Sequence, residues 1–327
     1  MRVCVIGTSN AIYKDGYCGA IADDPRVSYF RKYCIGASPS IIIPYFAGMI
    51  DFADFDFVVF DTAINDSNYF KYGSIRKDQI RQFVEFGVNE AARAGCRPAL
   101  LVMPSLKRFA KPTMARIIYS RIAAENDAVL LDGFTFAEDR AATSGDDLGS
   151  LFLDDFHLRK DIAREVGTLL VDRMAGKPQA KLPTQPAKSR FYSIRLADHF
   201  PSVERSTSLA ASRMVRLGHA PMQLSVPPGH EVAGIVYNAA KTSGAIRIGP
   251  QVVKSLWTKY VGTPKDLLTI MAPVIAKSPV DASGRLTLQL AAAEDPITEA
   301  SRFEHFAPPP TLTSVVEVET LIMWERL

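Results

Sequence analysis

Val3-Cys4-Val5-Ile6-Gly7-Thr8-Ser9-Asn10 opens the chain with a short β-branched run that ends in glycine and breaks on a serine. Such a run reads as a buried first strand that delivers Ser9 to its carboxyl edge. Open α/β sheets do their chemistry at that edge. Far along the chain stands Asp154-Asp155-Phe156-His157, which holds the only histidine before position 199 and a carboxylate three residues upstream of it. One candidate nucleophile therefore meets one candidate general base, the parts of a serine hydrolase.

Outward from that start, strand-like and helix-like patterns alternate to about residue 175. Runs rich in Val, Ile, Leu or Phe at 2–6, 27–34, 56–61, 98–103 and 128–131, each followed by turn chemistry, predict strands. The stretch from Ser74 to Val88 has Ile75, Ile80, Phe83, Val84 and Val88 near helical period, with Ser74 placed to cap it and Gly95 to stop it. A second helix is predicted from Arg159 to Met174. This alternation predicts an α/β fold, a flavodoxin-like doubly wound parallel sheet of five strands with helices on both faces. From Gly176-Lys-Pro-Gln-Ala-Lys-Leu-Pro-Thr-Gln-Pro-Ala-Lys-Ser189 the character changes, and prolines with lysines and small polar residues predict an interdomain linker. Beyond it, short alternating runs at Met214–Leu217, Met222–Val226, Ala245–Ile248, Arg285–Leu290 and Val315–Ile322, separated by Pro and Gly turns, predict a β-sandwich. The division expected is 1–176 catalytic, 177–189 linker and 190–327 accessory.

Composition excludes several classes. A chain of 327 residues with 47% hydrophobic and 22% charged residues is long enough for two soluble globular cores. A formal net charge of +3 gives no reason to expect nucleic acid as a partner. Cys4, Cys18, Cys34 and Cys96 show no CxxC spacing and read as reduced thiols. No apolar run is long enough for a signal peptide or a membrane helix, so a cytoplasmic location without membrane insertion is expected. His199, His219, His230 and His305 are widely spaced and form no metal-ligand pattern, so neither metal nor cofactor is expected.

Four short elements carry the chemistry. Gly7 lets the backbone turn sharply before Ser9, and a helix after it aims free N–H groups at whatever the serine attacks, although serines also cap helices. Gly36, directly after the second strand in Cys34-Ile-Gly-Ala-Ser-Pro-Ser40, lets a backbone N–H approach a ligand. Asn65, in Asp61-Thr-Ala-Ile-Asn-Asp66 after the third strand, offers an uncharged amide donor of the kind an oxyanion hole uses. Asp154 can hold Nδ1 of His157 and leave Nε2 free as a base. Neither a dinucleotide fingerprint, nor a P-loop, nor a G-x-S-x-G elbow is present.

In this order and placement the elements resemble the four motif blocks of the SGNH hydrolases, also called GDSL hydrolases, over residues 1 to about 175. The resemblance implies Ser9 as nucleophile, His157 as base and Asp154 as its orienter. It also implies an oxyanion hole from the N–H groups of Ser9 and Gly36 with the Asn65 amide. Two positions depart from the family: Thr8 stands where Asp is common, and Ala63 stands where the Asn block has Gly.

The implied chemistry is acyl transfer through an acyl-serine. Tyr69 and Tyr72 offer aromatic faces suited to sugar rings, and Lys107 and Arg108 follow the fourth strand on the same edge. No long apolar groove for a fatty acyl chain is legible. The leading expectation is therefore an esterase that removes O-acetyl groups from a carbohydrate. An O-acetyltransferase acting on a glycan and a non-catalytic glycan-binding protein stand as alternatives. The sandwich is open to a role in glycan binding, in structure or in pairing two copies of the chain, with Trp257 and Trp324 read as core.

Overall fold

The computed structural model describes residues 1–177, 189–208, 210–276, 280–305 and 315–327. The linker predicted at 177–189 lies almost entirely outside the described residues. The chain divides into two compact units, Met1–Phe70 with Lys77–Ala187 and Lys71–Arg76 with Lys188–Leu327. It therefore enters the second unit twice, which the sequence reading did not anticipate.

The first unit is built on β1 (Arg2–Gly7), β2 (Tyr29–Cys34), β3 (Phe57–Asp61), β4 (Arg97–Val102) and β5 (Val129–Asp132). All pair in parallel, in the order β2-β1-β3-β4-β5. The chain leaves β1 toward one side of the sheet and β3 toward the other, so a crevice opens at the carboxyl ends of these two strands. Between the strands run α1 (Ser9–Ile12), α2 (Tyr17–Asp23), α3 (Ile42–Ala47), α4 (Ala63–Lys71), α5 (Lys77–Arg93) and α6 (Met114–Glu125), and after β5 come α7 (Gly133–Ser144) and α8 (Lys160–Ala175). A small antiparallel pair, β6 (Phe152–Asp154) and β7 (His157–Leu158), precedes α8.

Strand alternation divides the core into two layers. Val3, Val5, Phe57, Val59, Ala99, Leu101 and Leu131 pack with Tyr17, Ile21, Val166 and Leu170 of α2 and α8. On the other face α5 lies so close to β3 that a Cβ on Gly87 would meet Ile43 at 2.3 Å and Phe60 at 2.9 Å. The helix α5 begins at Lys77 rather than directly after Ser74. It stops where Gly95 takes a φ of +77°. Helix α4 gave no periodic signal because its buried positions include Asn65, Asp66 and Ser67. The four cysteines are unpaired.

The second unit holds β8 (Ser189–Arg195), β9 (Val203–Ser206), β10 (Ala211–Arg216), β11 (Met222–Ser225), β12 (Glu231–Asn238), β13 (Ala245–Ile248), β14 (Val252–Ser255), β15 (Thr269–Pro273), β16 (Arg285–Leu290) and β17 (Glu317–Arg326). These form a β-sandwich: one sheet runs β15-β12-β17-β10-β9 with β8 also on β17, the other β11-β16-β13-β14. Between them, a Cβ on Gly244 would press on Leu290 and Val316, each at 3.3 Å. Strand β17 is central, and Trp324 on it stacks against Phe191 of β8 with centroids 5.7 Å apart. Trp257 and Trp324 are both core residues. Among the described residues no helix is long and apolar enough to cross a membrane.

Candidate active site

Gly7, the last residue of β1, pairs with Cys34 on β2 and with Asp61 on β3. The three strands therefore end in line, and the loops that carry Ser9, Gly36 and Asn65 leave from one edge. A Cβ on Gly7 would stand 2.6 Å from the Ala11 Cβ, so only glycine lets the chain fold straight from the strand into α1. Ser9 is the first residue of that helix.

Ser9 Oγ lies 3.0 Å from His157 Nε2. On the other side of the ring, Nδ1 is 2.9 Å from both Asp154 oxygens. With Nδ1–H given to the carboxylate, Nε2 carries the lone pair and accepts from the serine hydroxyl. Asp154 is itself held by the N–H groups of Phe156 at 2.8 Å and His157 at 3.0 Å. Partial burial works to raise its pKa, but those two N–H groups and the imidazole outweigh it and hold the carboxyl below its ordinary range. Asp155 faces elsewhere: its carbonyl accepts from Leu106 N–H and Ser105 Oγ, each at 3.0 Å, and its carboxylate pairs with Lys107. Tyr13 meets the His157 ring edge to face, centroids 5.2 Å apart.

Asn65 sits in the first turn of α4, is 6% exposed, and its Nδ2 has no hydrogen-bond partner. A buried amide without an acceptor costs stability unless a ligand supplies one. Gly36 differs from Gly7, since its missing Cβ would meet nothing closer than Ile12 Cδ1 at 3.5 Å. Packing does not demand glycine there, which leaves the space in front of its N–H as the feature to explain. Ala63 begins α4 without a positive φ, so alanine serves where the related motif has glycine.

Two buried carboxyls lie behind these loops. Asp66 Oδ1 accepts the Ser40 N–H at 2.7 Å, and Oδ2 accepts Thr62 Oγ1 at 3.1 Å and the Tyr119 hydroxyl at 2.9 Å. Burial pushes its pKa up to about 6 against the pull of these donors. Asp61 accepts the Tyr17 hydroxyl at 2.8 Å and is pushed by burial up to about 7. Burial likewise drives the Tyr17 and Tyr119 hydroxyls well above their ordinary range.

The structure thus brings Ser9, Asp154 and His157 into one line of hydrogen bonds and sets Gly36 and Asn65 at the same edge. The four residues expected to touch substrate fare differently. Tyr69 is 3% exposed and donates to the Ala37 carbonyl at 3.2 Å, so its ring fills the interior and offers no face to a sugar. Arg108 is engaged with Ser67 O at 3.2 Å and Asn68 Oδ1 at 2.6 Å. Lys107 is paired with Asp155, and Tyr72 lies in the segment grouped with the second unit, its ring 5.3 Å from Lys71 Nζ. Sequence reasoning missed Ile12, Tyr13, Leu153 and Phe156, which are 51%, 39%, 61% and 39% exposed beside the serine and the histidine. Their signal was an apolar residue within two to four positions of a catalytic candidate. A small cavity next to Tyr13 is lined by Asn10, Leu153, Leu158, Lys160 and Ala163 and does not include Ser9 or His157. Among the described residues no cluster of His, Cys, Asp or Glu could hold a metal ion.

No family model matches the chain, and no curated protein matches it. The solved structure of a two-domain esterase active on acetylated mannans is similar to it with a TM-score of 0.65 at 11% identity, covering 99% of this chain and 90% of that one. A structure of a two-domain esterase active on acetylated mannans, co-crystallized with mannopentaose, gives a TM-score of 0.64 at 11% identity over the same shares. An acetylxylan esterase from Geobacillus stearothermophilus is similar over 55% of this chain and 95% of its own, with a TM-score of 0.45 and 14% identity. The first two likenesses show the fold alone: a doubly wound parallel sheet followed by a β-sandwich.

Proposed function

We propose that the chain is a serine esterase that removes O-acetyl groups from a carbohydrate. The observation that carries the proposal is the line from Ser9 Oγ to His157 Nε2 at 3.0 Å and from Nδ1 to Asp154 at 2.9 Å. His157 takes the Ser9 proton as Oγ attacks the acyl carbon, and the N–H groups of Ser9 and Gly36 with the Asn65 amide receive the negative oxygen. As the tetrahedral intermediate collapses and the bond from the acyl carbon to the sugar oxygen breaks, the protonated imidazole, steadied by ionised Asp154, gives its proton to that oxygen, which leaves as the sugar hydroxyl. Water attacks the acyl-serine by the same route in reverse and acetate leaves.

The whole-chain likeness to a two-domain esterase active on acetylated mannans supports an acetylated polysaccharide as substrate. The test is labelling with a fluorophosphonate, followed by acetate release from an aryl acetate, acetylated mannan and acetylated xylan. Labelled Ser9 with acetate release from a glycan is the expected result. An unlabelled serine would leave a binding protein on a hydrolase fold, and acetyl transfer to an added sugar in place of acetate release would make it a transferase.

A further inference from the structure

We propose that Asp66 and Tyr69 are positioning residues that clamp the Gly36 loop to the helix bearing Asn65, so that two amide donors converge on one oxyanion. The proposal rests on the esterase reading above. Helix α4 carries all three residues. Asn65 presents a buried amide without a partner, whereas its neighbours Asp66 and Tyr69 both reach the loop after β2. Asp66 Oδ1 takes the Ser40 N–H at 2.7 Å and Tyr69 donates to the Ala37 carbonyl at 3.2 Å, so the loop is gripped at two points just past Gly36.

The grip has strain to hold. Ala37, the residue after Gly36, has a φ of +58°, and among the described residues only Asp127 shares this left-handed region without being glycine. Alanine is disfavoured there and persists only where the surroundings enforce it. The other end of the clamp is equally fixed: Asp66 Oδ2 accepts Thr62 Oγ1 at 3.1 Å and the Tyr119 hydroxyl at 2.9 Å, and Thr62 Oγ1 is also hydrogen-bonded to that hydroxyl. Thr62 directly precedes α4 and its carbonyl accepts the Asn65 N–H at 3.0 Å. One fully buried carboxyl therefore ties the turn that begins the Asn65 helix to the loop that presents Gly36.

The experiment compares Asp66→Ala, Asp66→Asn and Tyr69→Phe with the wild type for aryl acetate turnover and for inhibition by an alkyl boronic acid, whose tetrahedral adduct on Ser9 places an oxygen in the oxyanion hole. Misplaced donors act on the tetrahedral state and not on ground-state binding. Asp66→Ala is expected to lower kcat by about 10²-fold, the scale of a 1 Å displacement at a catalytic centre. Tyr69→Phe, which deletes one oxygen, should lower it by about tenfold, the equivalent of 1.4 kcal/mol. KM should stay within about twofold while boronate affinity falls in step with kcat. Asp66→Asn keeps an acceptor for Ser40 N–H and should recover part of the loss. Should Asp66→Ala fail to fold, Tyr69→Phe alone decides. Lowered melting temperature with unchanged kcat and boronate affinity would overturn the clamp alone. A wild type that neither labels at Ser9 nor cleaves the ester would refute the esterase reading and the clamp with it.

Discussion

Asp154 and Asp155 are neighbours in sequence with separate partners. The first is bonded to the imidazole, while the second ties its loop to Ser105, Leu106 and Lys107. Lys107 is 72% exposed, so its pair with Asp155 is worth only about 0–1 kcal/mol. Asp154→Asn is therefore expected to cut kcat by up to about 10⁴-fold, as loss of the carboxylate in other serine triads does, and Asp155→Asn by less than about tenfold. Steady-state rates on an aryl acetate check the ranking, and the reverse order would move the orienting role to Asp155. Ser9→Ala and His157→Ala should each cost on the order of 10⁴-fold or more, with the double variant little worse, because the pair acts as a unit. Asp61 allows a test by pH. Its folded pKa of about 7 lies above the ordinary carboxyl value of 3.8, so the folded state holds a proton that the unfolded state has lost between those values. That contribution to stability is complete below pH 3.8 and is lost as pH rises through 7. Asp61→Asn should accordingly gain in melting temperature relative to wild type on going from pH 5 to pH 8. A difference independent of pH would show that Asp61 is not titrating. Sequence made Ser9, Asp154 and His157 legible because the chemistry demands those residue types at strand ends and at i to i+3 spacing. Tyr69 was misread because an aromatic beside polar residues looks the same in sequence whether its ring faces a sugar or the core.

At the scale of elements, the five strands of the parallel sheet were legible within a few residues, four of them because buried parallel strands are continuous apolar runs, while the edge strand β2, Tyr29–Cys34, is largely exposed and was marked by its aromatic residues. Helix α4 was not, because three of the residues it buries, Asn65, Asp66 and Ser67, are polar and break the apolar period. That same feature makes its first turn the sensitive one. Asn65→Ala should lower kcat by roughly 10²- to 10³-fold with KM little changed, the usual cost of one oxyanion donor. An effect mainly on KM would assign Asn65 to substrate binding instead. The opposite face of the sheet depends on close helix contact. A Cβ on Gly167 of α8 would stand 2.4 Å from the Tyr17 carbonyl oxygen of α2, a backbone atom that cannot yield. Gly167→Ala should thus destabilise the fold by about 1–3 kcal/mol, the range for overpacking. Urea denaturation measures it, and an unchanged midpoint would mean that α8 shifts at no cost. Tyr17 also donates to Asp61, so the same substitution should disturb the pH response of that carboxyl.

For the molecule as a whole, Ser9, Gly36, Asn65, Asp154 and His157 all fall in the first unit, yet Lys71–Arg76 groups with the second. That segment follows directly on α4, whose last residue is Lys71. Within the second unit, Arg76 donates from Nη1 to the Ile275 carbonyl. The division between units is therefore not a single cut in sequence: the chain crosses between them three times, after Phe70, Arg76 and Ala187. A fragment of residues 1–187 keeps every group of the triad but leaves Lys71–Arg76 without the partners it packs with. Its Ser9 should still react with a fluorophosphonate, because His157 and Asp154 reach it from within the same unit. Its melting temperature should fall and its kcat on an aryl acetate should drop further than its labelling rate, since the helix that ends in the orphaned segment is the one carrying Asn65. Full retention of melting temperature and turnover by the fragment would show that the sandwich is an appended module and that Lys71–Arg76 contributes nothing to the site. Loss of labelling in a fragment that remains folded by circular dichroism would show instead that the nucleophile itself depends on the second unit.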